Sequence, residues 1–203
     1  MKILILIFLL MASFYYSFCQ TKRDSLYVFV GEKIEITQSK PNKTNFLGDD
    51  ILTAKYKVIQ NVFGNYKKDT IKFELSFHCG AGLFLKFKNV LLFVSNYNGR
   101  LYLEKYQYYD VYKTIDDKWA SPGDPSKFDD NHTGSFKPHH IEFIDTVSYD
   151  IRQLDNGCLM KKPFPEPYFK LEGNKAIALM GAYIDELFII KKEGVLKKRG
   201  FFE

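Results

Sequence analysis

Three sets of residues in this chain have types and spacing that could do chemistry. The first lies between Thr114 and His140, where five aspartates (Asp116, Asp117, Asp124, Asp129 and Asp130) mingle with His132, His139 and His140. Imidazole nitrogens and carboxylate oxygens are donors that transition metals take, so Asp129, His132, His139 and His140 form a candidate metal set. The run Asp129-Asp130-Asn131-His132-Thr133-Gly134 also has the form of the first half of a calcium loop, but the twelfth position is His140, where such loops need a bidentate glutamate. Solvated loop side chains have the same composition as either site. The second set is Tyr102, Tyr106, Tyr108 and Tyr112. Residues of equal parity share one face of a strand. Four tyrosines in a row would make a stacking platform for sugars or bases, or a band of cross-strand aromatic packing. The third set is Cys79 and Cys158. In an exported protein they could close one disulfide, worth on the order of 4 kcal/mol for so long a loop; two separate buried thiols fit the sequence equally. His78 is no base for Cys79, because adjacent strand residues face opposite ways.

The elements that must position these residues are mostly strands. Ile71, Phe73, Leu75 and Phe77 alternate with Lys72, Glu74, Ser76 and His78, the period of a half-buried strand. Val90 to Val94 is a short continuous apolar run, as expected for a strand covered on both faces. Tyr97-Asn98-Gly99 is turn chemistry and leads into a strand from Arg100. Upstream, Leu26 to Thr37 reads as a strand with Val28, Val30, Ile34 and Ile36 on one face and a bend at Gly31. Ile51 to Val62 reads as another, with Ala54, Tyr56, Val58 and Val62 together. Residues 114–140 carry Pro122, Gly123, Pro125, Gly134 and Pro138 and read as an irregular loop. Downstream, Ile141 to Tyr149 alternates, Gly173-Asn174 is a turn, and Ile184, Leu187, Phe188 and Lys191 fall at helical spacing. The expectation is a helix near residues 182–192 ending at Gly194, then a short final strand from Val195 to Phe202.

The N-terminus carries a different signal. Ile3 to Met11 is apolar, shorter than the roughly 20 residues of a membrane span, and Ser17 and Cys19 stand where a leader is cut. Residues 1–19 are thus expected to be a signal peptide, with cleavage before Gln20 and export of one domain, residues 20–203. Acylation of Cys19, as in a lipoprotein, is the minor alternative, since Phe18 is large for the position before such a cysteine. The 203-residue chain has a formal charge of +5, a weak bias toward anionic surfaces. Lys191, Lys192, Lys197, Lys198 and Arg199 concentrate it near the C-terminus. Export argues against nucleic acid as the partner and toward an envelope protein, a glycan or an anionic lipid.

Residues 25–113 resemble a known family. Val28-Phe29-Val30-Gly31, Lys55-Tyr56-Lys57-Val58 followed by Gly64, Ile71-x-Phe73 leading to Cys79-Gly80, Leu91-Leu92-Phe93 and Gly99-Arg100-Leu101 are together similar to the netrin-like domain shared with tissue inhibitors of metalloproteinases. That resemblance implies an OB-type five-stranded barrel. Those inhibitors chelate the protease zinc through an N-terminal Cys-x-Cys. Gln20-Thr21-Lys22 lacks it, so inhibition is not implied here.

The expected fold is therefore mainly β, with α+β as the variant: an OB-like or netrin-like barrel over residues 25–113, the loop at 114–140, and C-terminal strands and one helix over 141–203. Gly-x-Ser-x-Gly, His-Glu-x-x-His, a phosphate loop and a dinucleotide fingerprint are all missing. The expected role is a small binding or structural module of the bacterial cell envelope, without a cofactor. The alternative is a small hydrolase using a metal held in the Asp/His loop.

Overall fold

The computed structural model describes residues 23–38, 50–77, 81–124, 137–154 and 164–203. Five strands, β1 (Arg23–Gln38), β2 (Asp50–Phe63), β3 (Thr70–Phe77), β4 (Asn89–Tyr97) and β5 (Arg100–Asp110), close a barrel in the order β1-β2-β3-β5-β4. Every pairing is antiparallel except β3 with β5, which run parallel and meet at Glu74 and Tyr102. A closed five-strand mixed barrel of this order is compatible with an OB-like fold. The rest of the described chain adds two small sheets, β6 (Tyr112–Lys113), β7 (Trp119–Pro122) and β12 (Met180–Tyr183) with β8 (His139–His140), and β10 (Phe169–Glu172) with β11 (Lys175–Ala178) and β9 (Ser148–Asp150). One helix follows, α1 (Ile184–Lys191). The chain is mainly β, as its alternating patterns predict.

The barrel has an apolar interior and a second apolar layer outside it. Ile71, Phe73, Leu75 and Phe77 all point inward from β3, while Lys72 and Glu74 face water. They meet Phe29, Tyr56, Leu92 and Val94. Phe84, on a 3-10 turn at Gly82–Lys86, closes one end of the barrel, its ring 5.3 Å from Phe77 and 4.7 Å from Tyr108. Burying each such ring contributes about 1.5–3 kcal/mol. The continuous run of β4 is buried on both faces for a visible reason. Val90, Leu92 and Val94 point into the barrel, and Leu91 and Phe93 point outward beneath Trp119, Ile184, Leu187 and Leu196 of the C-terminal additions.

Several expectations change at this level. Val28, Val30, Ile34 and Ile36 do not share a face. The pairing of β1 with β2 slips three times: Val62 and Ile59 are extra residues on β2 and Ile34 is an extra residue on β1, and the bulge at Ile34 resets the alternation of β1. Val28 and Val30 join the outer layer, Ile36 packs on the barrel core, and Ile34 is exposed. Gly31 lets the core close over the strand, because a Cβ there would come within 3.0–3.1 Å of the Tyr56, Leu92 and Phe29 side chains. The segment at 114–140 is not wholly irregular: β7 and β8 lie within it and flank β12. The final strand at 195–202 is replaced by helical turns. The chain continues past α1 through a kink at Gly194 (φ −92°, ψ −110°) to Lys198. The spacing of Leu187, Ile190 and Leu196 along these turns lets all three be fully buried, Leu187 and Leu196 in the layer outside the barrel.

Candidate binding face

The four tyrosines separate. On β5, Leu101 and Leu103 pack on the barrel core and Tyr102 lies outside, its ring 6.0 Å from that of Tyr97. Between Leu103 and Tyr108 the strand carries five steps against two on β4, from Val94 to Leu92. The odd excess inverts the parity, and Tyr106 takes a left-handed φ of 62° in the bulge, half exposed. Tyr108 therefore points into the barrel, where burial first, and then the charge of Asp110, push its phenol up to about 12. Tyr112 lies beyond the strand, 6.1 Å from the ring of Phe143. A single stacking platform is not formed.

Tyr112 belongs instead to a cluster that parity does not reveal. Tyr149 donates its hydroxyl to Asp110, and its ring stacks 5.0 Å from Phe164. Burial raises the Asp110 pKa, and hydrogen bonds from Tyr149 and Tyr112 oppose that rise. This cluster joins the end of β5 to β9.

Of the metal set, the described residues include one pair of histidines. His139 and His140 are exposed neighbours on β8, and Nε2 of His139 lies 2.6 Å from Oε1 of Glu186. The other oxygen of Glu186 accepts the Tyr183 N–H at 2.9 Å, capping α1. Asp129 and His132, like Cys79 and Cys158, lie outside the described residues. Among the described residues no group of three or more His, Cys, Asp or Glu side chains is placed to hold a metal.

The C-terminal basic cluster is partly structural. Lys191 is buried with its ammonium 5.1 Å over the ring of Tyr109. Arg199 donates to Oε2 of Glu104 at 2.7 Å and to the Lys105 carbonyl at 3.1 Å. Ser95 and Tyr97 donate to the other oxygen of Glu104, at 2.6 and 3.1 Å. This network fastens the helical C-terminus to the outside of β4 and β5.

Among the described residues a concave feature lies elsewhere, on the outer side of β1, β2 and β3 and reaching Ile71 and Leu101. It is an open groove of about 660 Å³. Its floor is polar because these positions alternate with the inward-facing core residues. Register sets the pattern: Thr37 stands opposite Thr53, Glu35 opposite Lys55, and Lys55 opposite Lys72. Directly opposed residues have Cβ atoms about 4.5–5.5 Å apart, and like charges at that distance destabilise the pair. Lys55, Lys68 and Lys72, all on the groove, make no ion pair with any described residue, although Lys88, Lys113, Lys118 and Lys170 each have a carboxylate partner.

One wall of the groove is a fixed turn. Gly64 (φ 78°) and Asn65 (φ 45°) reverse the chain after β2. The Asn61 side chain then clamps it, its amide donating to the Tyr66 carbonyl at 3.1 Å and its oxygen accepting the Tyr66 N–H at 3.0 Å. Tyr66 is thereby held edge-on to Tyr27, with ring centroids 5.2 Å apart, and burial followed by Tyr27 raises its phenol pKa. The outward alternation of Lys55 and Lys72 is legible in the sequence, but their juxtaposition needs the β2–β3 register. No family model, no curated protein and no solved structure matches the chain.

Proposed function

We propose that this chain is a small binding module exported to the bacterial cell envelope, with a netrin-like barrel that holds its ligand on the outer face of β1, β2 and β3. The observation that carries this reading is the groove on that face, where a clamped turn presents Tyr66 and Lys68 beside the opposed pair Lys55 and Lys72. Two lysines directly opposed across a ladder repel each other, and Glu35, opposite Lys55, makes no ion pair with it, so the charge of this face is available to an anionic ligand. The barrel order supports the analogy with OB-type domains, which bind chains of sugars or nucleotides at the face around strands 2 and 3. Export is supported by the short apolar run Ile3 to Met11 and the small residues that follow it.

Two measurements test the reading. The chain and a Thr70→Trp variant, which fills the groove from an exposed position, are immobilised and exposed to envelope extract. The parent should retain a component that the filled variant loses, and equal retention by both removes this face from the function. Mass spectrometry of the protein from its native cells should find Gln20 at the N-terminus. An intact Met1 or an acylated Cys19 refutes the cleavage.

A further inference from the structure

We infer that the groove takes an acidic saccharide: a short sugar chain bearing carboxylate or phosphate groups. This rests on the reading of the β1–β2–β3 face as the ligand surface and adds the chemical class of the ligand. Three features of the groove carry it. The first is charge. Lys55 and Lys72 are opposed across the β2–β3 ladder, Lys68 stands on the adjoining turn, and none of the three is neutralised by a described neighbour. One acid group set between Lys55 and Lys72 would satisfy both ammonium groups with charge-assisted hydrogen bonds and relieve their repulsion.

The second feature is the polar lining between the charges. Thr37 and Thr70 bring hydroxyl groups, each both donor and acceptor, to the same groove. A ligand with many hydroxyls of its own can exchange hydrogen bonds with such a surface. The third is Tyr66, whose backbone is held by Asn61 and whose ring is braced by Tyr27. A fixed aromatic ring offers an apolar face with a polar tip, which suits the C–H face and hydroxyl edge of a pyranose. Among the described residues lining the groove, Glu35 is the acidic one, and it lies opposite Lys55 without pairing to it. It sets a direction of effect: an acidic ligand is repelled by Glu35, so removing that charge should strengthen binding.

The experiment is a calorimetric titration of the exported chain with three probes: trigalacturonate, its methyl ester, and inorganic tripolyphosphate. They separate a charged sugar, a neutral sugar and an anion without sugar. Trigalacturonate should bind at least about tenfold more tightly than its ester, and added salt should weaken it. The double variant Lys55→Gln, Lys72→Gln should lose about tenfold for both anionic probes, and Lys57→Gln, on the same strand but off the groove, should lose none. Glu35→Gln should gain affinity. Tyr66→Leu should weaken trigalacturonate about tenfold and leave tripolyphosphate unchanged. Thermal unfolding of each variant confirms that it is folded, and the lysine pair, being exposed, tests the charge independently of Tyr66. Equal binding of acid and ester overturns the acidic requirement. Binding of tripolyphosphate as tight as that of trigalacturonate, unmoved by Tyr66→Leu, overturns the saccharide. No binding of any probe overturns the inference entirely, and loss of extract retention in Thr70→Trp would in that case still uphold the face as a binding surface.

Discussion

Replacing Arg199 by alanine should unfasten the C-terminal helical segment from the barrel. The guanidinium is partly open to water, with its side chain 27% exposed, whereas that of Glu104 is only 7% exposed. Removing Arg199 leaves a carboxylate in a nearly closed site. Removing one partner of a buried pair costs about 3–5 kcal/mol. Two facts reduce that figure here. Ser95 and Tyr97 still serve one oxygen of Glu104, and Arg199 itself gives up some solvation in forming the pair. We therefore expect a loss of about 2–3 kcal/mol, or about 5–10 °C in Tm for a chain of this size. Urea unfolding, followed by tyrosine and tryptophan fluorescence, measures it. Lys197→Ala, exposed and two residues away, should cost less than about 0.5 kcal/mol. The double variant Glu104→Ala, Arg199→Ala should cost less than the sum of the singles by at least about 1 kcal/mol, because the second substitution removes the charge stranded by the first. Strict additivity, or an Arg199→Ala loss no larger than that of Lys197→Ala, would show that the network does not hold the segment in place.

Two further outcomes follow from backbone packing and from burial. At Gly181 a Cβ would lie 2.2 Å from the Ser121 carbonyl oxygen of the paired strand, so Gly181→Ala must push β12 from β7 and should cost about 1–3 kcal/mol in urea unfolding; an unchanged midpoint refutes the close approach. The folded-state pKa of Asp110 is raised, chiefly by burial, so its contribution to stability is fully present below its unfolded value of about 3.9 and is lost as pH rises through the higher folded value. Asp110→Asn should therefore flatten the fall in stability as pH rises above about 4, and identical pH profiles for parent and variant would exclude the effect.

Local pattern alone determined much of the barrel. Ile71 to Phe77 alternates without interruption, so its faces could be assigned before any partner was known, and the structure keeps that assignment. The run from Val90 to Val94 required cover on both sides, and the C-terminal additions supply it. The helix at Ile184–Lys191 follows from apolar residues at helical spacing. Pattern failed where strand pairing slips. One extra residue in β1, two in β2 and an irregularity in β5 reset a period of two, and a bulge depends on the register between two strands, which no single strand encodes. The tyrosines separated for that reason. The final strand failed because helical turns carry Leu196 into the apolar layer outside β4, a tertiary contact that residues 195–202 do not encode by themselves. The basic cluster divided because Arg199 and Lys191 found Glu104 and Tyr109 across a distance in sequence that charge counting cannot span. The candidate face shows the same division. That Lys55 and Lys72 point outward is a property of their own strands. That they oppose one another beside Tyr66 and Lys68 is a property of the β2–β3 register and the Asn61 clamp, which exist only once the barrel has formed.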